Sequence, residues 1–154
     1  MKAFQDYYAD DFSHCYGCGR LNEQGLQIKS YWDGEESVAK LIPNEKYIAI
    51  PGFAYGGLIA SLIDCHCTGT AAAAKYREEG RDMDTEPALR YVTASLKVDF
   101  LAPTPLGVEL EIRGKVIEIK EKKVVVEATV LAENKICATG KVVAVRMPKT
   151  MLNK

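Results

Sequence analysis

Pro51-Gly52-Phe53-Ala54-Tyr55-Gly56-Gly57-Leu58-Ile59-Ala60-Ser61-Leu62-Ile63-Asp64 is the stretch on which the reading of the chain turns. Pro51-Gly52 and Gly56-Gly57 bracket a loop, and from Leu58 to about Glu79 the sequence runs without proline and with many alanines. That run predicts one long helix. Leu58, Ile59, Leu62 and Ile63 recur at helical spacing as an apolar stripe, while Gly57, Ala60, Ser61, Asp64, Thr68 and Ala71 form a second stripe of small and polar residues. One face suits a core and the other a close neighbour. Gly80 stands where a left-handed cap would close the helix, and Arg81 to Pro87 reads as a polar loop.

On the N-terminal side, Leu26 to Trp32 and Ser37 to Ile42 flank Asp33-Gly34, whose glycine supplies the positive φ of a tight turn, so a hairpin is expected. Before it, His14-Cys15-Tyr16-Gly17-Cys18-Gly19 is a glycine-punctuated loop, and Met1 to Phe12 carries enough aromatics to form a short helix over the body. On the C-terminal side β-branched residues alternate through Val92–Phe100, Val108–Ile119, Val124–Leu131 and Ile136–Met147, which predicts four long strands. A slip of apolar phase between Ile112 and Ile117 suggests a bulge near Gly114. The order is an α+β layout in which a curved antiparallel sheet of about six strands wraps one central helix. Exposed sheet edges predict pairing between protomers, as a homodimer or dimer of dimers.

The chain has 154 residues, 47% hydrophobic and 27% charged, so a single domain over 1–154 is expected, with an N-terminal segment and loop at 1–25 and a core at 26–147. A net charge of −1 gives no electrostatic reason to bind nucleic acid or an anionic membrane. No apolar run is long enough to span a bilayer, the first residues are not an apolar signal, and five cysteines fit reduced thiols, so a cytoplasmic protein is expected.

Chemistry concentrates at the helix start. Backbone N–H groups freed by Gly56 and Gly57, aided by the helix dipole, can polarise a carbonyl oxygen that is gaining charge. Asp64 lies two turns further, on the order of 12 Å from Gly56 at helical rise, too far to act on the same carbonyl. A second, antiparallel copy of the helix would bring one protomer's helix start to the other's Asp64.

The Pro51–Asp64 stretch resembles the signature of hotdog-fold acyl-CoA thioesterases of the phenylacetate-pathway type, a glycine pair followed at fixed distance by Asp. Cys15-Tyr16-Gly17-Cys18-Gly19, with Asn22, Gly25 and Leu26, is similar to the C-x-x-C-G opening of one branch of that superfamily, and Phe100-Leu101-Ala102-Pro103 looks like its strand end. The resemblance implies a hotdog fold that hydrolyses an acyl-CoA or related thioester to acid and thiol, with coenzyme A as part of the substrate and no separate cofactor or metal. It implies that the Gly56 N–H is the oxyanion donor, that Asp64 of the partner subunit is base or nucleophile, and that Thr93 orients the water. Strict alternation, however, puts Thr93 with Ser95, Lys97 and Asp99 on the polar face. Tyr55 stands where the family has His, and Ala49 where many members carry Asn or His, leaving Asn44 as the nearest substitute. Tyr55, Gly57 and Asn44 are expected at the substrate, with Lys122 and Lys123 near the CoA phosphates.

Blander readings stand beside these. Asp64 can be a structural carboxylate at a dimer contact, the glycines can serve packing alone, and Tyr55 can wall a pocket, a phenol being a poor base at neutral pH. Lys120-Glu121-Lys122-Lys123 reads equally as a solvated turn. His14, Cys15 and Cys18, and separately Cys65, His66 and Cys67, are two incomplete metal-ligand sets; the second points in different directions from one helix, so no metal is expected and His66 reads as buried. A non-catalytic acyl-CoA binding domain is the alternative, and a hydratase of the same fold a third, lacking its loop Asp-His pair.

Overall fold

In the computed structural model, which describes residues 1–152, the Gly56 run forms the one α-helix of the described residues, α1 (Gly56–Glu78), with Tyr55 extended just before it. Glycine closes it as the sequence requires. Gly80 has φ +67°, its N–H bonds the Arg77 carbonyl at 3.1 Å, and the Arg81 N–H bonds the Tyr76 carbonyl at 3.0 Å, a Schellman cap. A methyl on Gly80 would meet nothing within 4 Å, so Gly80→Ala tests backbone strain alone. We expect a loss of about 1 kcal/mol in urea unfolding with unchanged m value.

Six strands form one antiparallel sheet: β1 (Ser30–Asp33), β2 (Glu36–Leu41), β3 (Tyr91–Phe100), β4 (Leu110–Ile119), β5 (Lys123–Ala132) and β6 (Lys135–Arg146), in the order β1-β2-β4-β5-β6-β3. This is the expected curved sheet around a central helix. Leu58, Ile59, Leu62 and Ile63 pack into it against Leu110, Ile112, Val124, Val126, Val130 and Val142. The small-residue stripe is open only in its first two turns, since Thr68 and Ala71 are buried within the chain itself. β3 lies at an edge, paired on one side with β6, and most of its residues are exposed.

Two expectations are corrected. The N-terminal dozen is not a helix but two 3-10 turns, Phe4–Tyr7 and Asp10–Phe12. Tertiary bonds set its path: Gln5 is buried, donates to Ser30 Oγ at 3.0 Å, accepts the Ser30 N–H at 2.8 Å, and rests against α1 where Gly69 has no side chain. The β4 bulge falls between Val116 and Glu118, not at Gly114. Gly114 is small for another reason, because a methyl there would sit 2.5 Å from Ser37 Oγ and 3.1 Å from His66 Nε2.

His66 is fully buried, as the helical row with Leu58 and Leu62 implied. Its Nδ1 lies 2.8 Å from Ser30 Oγ and its Nε2 2.9 Å from Ser37 Oγ. Thr70 donates its hydroxyl to the His66 carbonyl at 2.7 Å, so the 2.6 Å contact between Ser37 and Thr70 takes the Ser37 proton. Ser37 must then accept from Nε2–H, and Ser30 donates to Nδ1. The network fixes a neutral imidazole, and burial holds its pKa down at about 4.

Candidate active site

The loop before α1 is folded tightly onto its start. Tyr55 N–H bonds the Tyr47 carbonyl at 2.9 Å and Ala54 N–H the Thr104 carbonyl at 2.8 Å, which fixes the chain direction entering Gly56. The first N–H groups of the helix have no acceptor within it and point out of its end. The Phe100 ring, at the end of β3, comes within 3.2 Å of where a Gly56 side chain would begin, and the half-exposed Tyr55 ring folds back over Gly57. Any larger residue at 57 would displace that ring. Ala54, Gly56, Ile59, Phe100, Leu101 and Thr104 line an open pocket of about 370 Å³ beside the helix start.

Asp64 is half-buried two turns further along the same open stripe. The hydroxyls beside it on the helix are committed to backbone, Ser61 to the Gly57 carbonyl at 2.8 Å and Thr68 to the Asp64 carbonyl at 3.2 Å. The side-chain partner of Asp64 is Thr93, whose hydroxyl donates to Oδ1. Among the described residues no second group bonds the carboxylate.

That contact overturns the strict alternation that set Thr93 among outward polar residues. The β3–β6 register shifts between Thr93 and Ser95, so Ala94 is an extra residue. Before the bulge Tyr91 and Thr93 face the helix; after it Val98 packs on the core and Phe100 meets Gly56. Nothing in Thr93-Ala94-Ser95 announces a bulge, whereas Phe100 was visible as the apolar end of a strand.

The remaining candidates are dispersed. Asn44 is exposed and caps the turn Glu45–Tyr47, accepting the Lys46 N–H at 3.0 Å. Lys123 pairs in register with Val145, which pairs with Val92, so Lys122 and Lys123 lie at the Asp64 end of the sheet, away from Gly56. Lys123 Nζ is 3.5 Å from Glu118. The two ligand sets suggested by sequence do not form as such: His14 is exposed, His66 is turned to its serines, and Cys67 is buried. Instead Cys15 and Cys18 meet Cys65, all three sulfurs within 4.8 Å of one another.

Within one protomer, therefore, the arrangement offers an N–H pair at one end of β3 and a carboxylate with an attached hydroxyl at the other. Groups of these two kinds can polarise a carbonyl oxygen that is gaining charge and activate a water, and Ser61, which lies between them on the helix, is committed to the Gly57 carbonyl. No curated protein matches the sequence. Among solved structures, a thioesterase superfamily protein from Shewanella loihica is 48% identical over 92% of this chain and 100% of that one, with TM-score 0.70. The PaaI protein of the E. coli phenylacetic acid degradation operon is 18% identical over 80% of this chain and 81% of its own, TM-score 0.64. A Streptococcus mutans protein bound to acetyl CoA is 19% identical over 83% and 96%, TM-score 0.63, and both of these share the fold. The sequence profile of the thioesterase superfamily matches residues 51–139, the span that holds the helix start, Asp64 and Thr93, and with the Shewanella relative it makes this chain a member of that superfamily.

Proposed function

We propose that the protein hydrolyses an acyl-CoA thioester to the free acid and coenzyme A in a site shared by two protomers. The observation that carries this is the Thr93 hydroxyl bound to the Asp64 carboxylate on the open stripe of α1. A hydroxyl donating to one carboxylate oxygen fixes the plane of the group and leaves the other oxygen for a water or for the thioester carbon. Asp64 of one subunit would act as base or nucleophile while the partner's Gly56 N–H stabilises the oxyanion. Helical rise keeps these groups on the order of 12 Å apart in one chain, so the geometry calls for a second copy. The exposed β3 edge and the open first turns of α1 support such a partner. A thioester is activated enough for one oriented carboxylate and one donor, so the hydrolysis itself needs no cofactor. Lys122 and Lys123, at the Asp64 end, would meet the CoA phosphates, and Tyr55 over Gly57 would wall the acyl pocket.

Hydrolysis of a panel of short, medium, long and aromatic acyl-CoAs, followed by loss of thioester absorbance, tests this; saturable CoA-ester binding without product on any member would favour the binding-domain reading instead. Thr93→Val keeps the shape of Thr93 and removes its proton. We expect kcat to fall about 10-fold, the worth of about one hydrogen bond to a charged group, with KM little changed.

A further inference from the structure

We propose that Cys15, Cys18 and Cys65 form a three-thiolate site for zinc that staples the N-terminal loop to the central helix beside Asp64. The sulfurs lie within 4.8 Å of one another, and Cys15 Sγ to Cys65 Sγ is 3.7 Å. Thiolates bound at about 2.3 Å to a tetrahedral zinc stand about 3.8 Å apart, the tetrahedral edge, so this pair already has the bound spacing. All five cysteines are free thiols.

The backbone around the cluster is shaped for it. A methyl on Gly17 would overlap Cys65 Sγ, and one on Gly19 would sit 2.5 Å from both Cys15 N and the Ser13 carbonyl, so both turn positions must be glycine for the three sulfurs to converge. Gly19 N–H closes the turn on the Cys15 carbonyl at 2.8 Å.

Two further groups suit a bound cation. The Tyr8 hydroxyl is buried without a hydrogen-bond partner, in the field of all three cysteines. It is the donor that a water in the open fourth position, or a zinc-bound thiolate, would use. Three thiolates around a divalent ion leave one negative charge, and Arg90, stacked 4.4 Å from the Tyr8 ring centroid, acts on Cys18 with the opposite one. Cys18 and Cys65 are buried and Cys15 is half-exposed, giving an ion a way in. The ion would join residues 15–18, which no regular element holds, to α1.

Metal analysis of the full chain, dialysed against zinc chloride and then metal-free buffer, is expected to give one tightly held zinc per chain. Cobalt(II) in its place should show the thiolate charge-transfer bands and intense visible bands of a tetrahedral sulfur site. Chelation should lower the melting temperature and open the N-terminal segment to proteolysis, and zinc should restore both. Cys15→Ser should abolish zinc binding, with melting equal to that of metal-free wild type, while Cys137→Ser should retain the ion. No zinc after reconstitution, zinc retained by Cys15→Ser, or a Cys15 disulfide to either neighbour in place of metal binding would each overturn the proposal.

Discussion

Asp64→Asn is expected to lower kcat for thioester hydrolysis by a factor on the order of 10²–10⁴, the range for loss of a positioned acid–base group, and by more if the carboxylate attacks directly. The substitution is close to isosteric. The asparagine carbonyl can still accept the Thr93 proton, and the neighbouring bonds of Ser61 and Thr68 run to backbone, so the helix has no reason to move. What disappears is the negative charge and the basic lone pair. Thioester absorbance reports the rate without interference from the five thiols, and gel filtration reports that assembly is unchanged. Activity near that of the wild-type protein would remove Asp64 from the chemistry.

Stability is expected to fall by about 2 kcal/mol between neutral pH and pH 5, because of His66. Burial holds its folded pKa at about 4, whereas an unfolded histidine titrates near 6.5. Between those values the unfolded chain takes up a proton that the native network refuses, since a second N–H would leave the Ser30 proton without its acceptor. The contribution is therefore complete above about pH 6.5 and is lost as pH falls through the window toward 4, about 3 kcal/mol in total. The chain has only two histidines, and the other, His14, is exposed. Urea unfolding at several pH values reads the slope, and His66→Gln should flatten it whatever its stability at neutral pH. A flat profile in the wild-type protein between pH 7 and 5 would contradict the buried neutral imidazole.

The helix, its glycine cap and the strand–helix–strand order were legible because each rests on local chemistry: apolar period, absence of proline, and a left-handed residue at position 80. Features that depend on residues far apart in the chain were not. Strict alternation misplaced Thr93, which the family resemblance had set beside Asp64, because a bulge at Ala94, in a strand with no glycine or other break, reverses the facing of everything before it. Gly114 was misread for the converse reason. A glycine beside a phase slip looks like a bulge, yet it is small to admit His66 from the helix, and the slip is taken up at Ile117. The glycine pair and Asp64 were legible as a spacing, but that Asp64 has a hydroxyl partner is a fact of the edge strand. Cys65 meets Cys15 and Cys18 across 47 to 50 positions of sequence, so members of two sets that read as separate come together only in the folded chain.

The shared site is tested most directly by a heterodimer of two inactive chains. Gly56→Pro removes the proposed oxyanion N–H at the first helical position, where proline is tolerated, and Tyr55 before it already has the extended φ −72°, ψ 141° that a following proline requires. Co-expressed with an Asp64→Asn chain under a second tag and purified by both, it leaves an intact Gly56 facing an intact Asp64 in one of the two sites. A site built across the two-fold axis predicts about half of wild-type activity from this heterodimer, although both parent homodimers are inactive. A heterodimer as inactive as its parents would show that the donor and the carboxylate do not act across protomers.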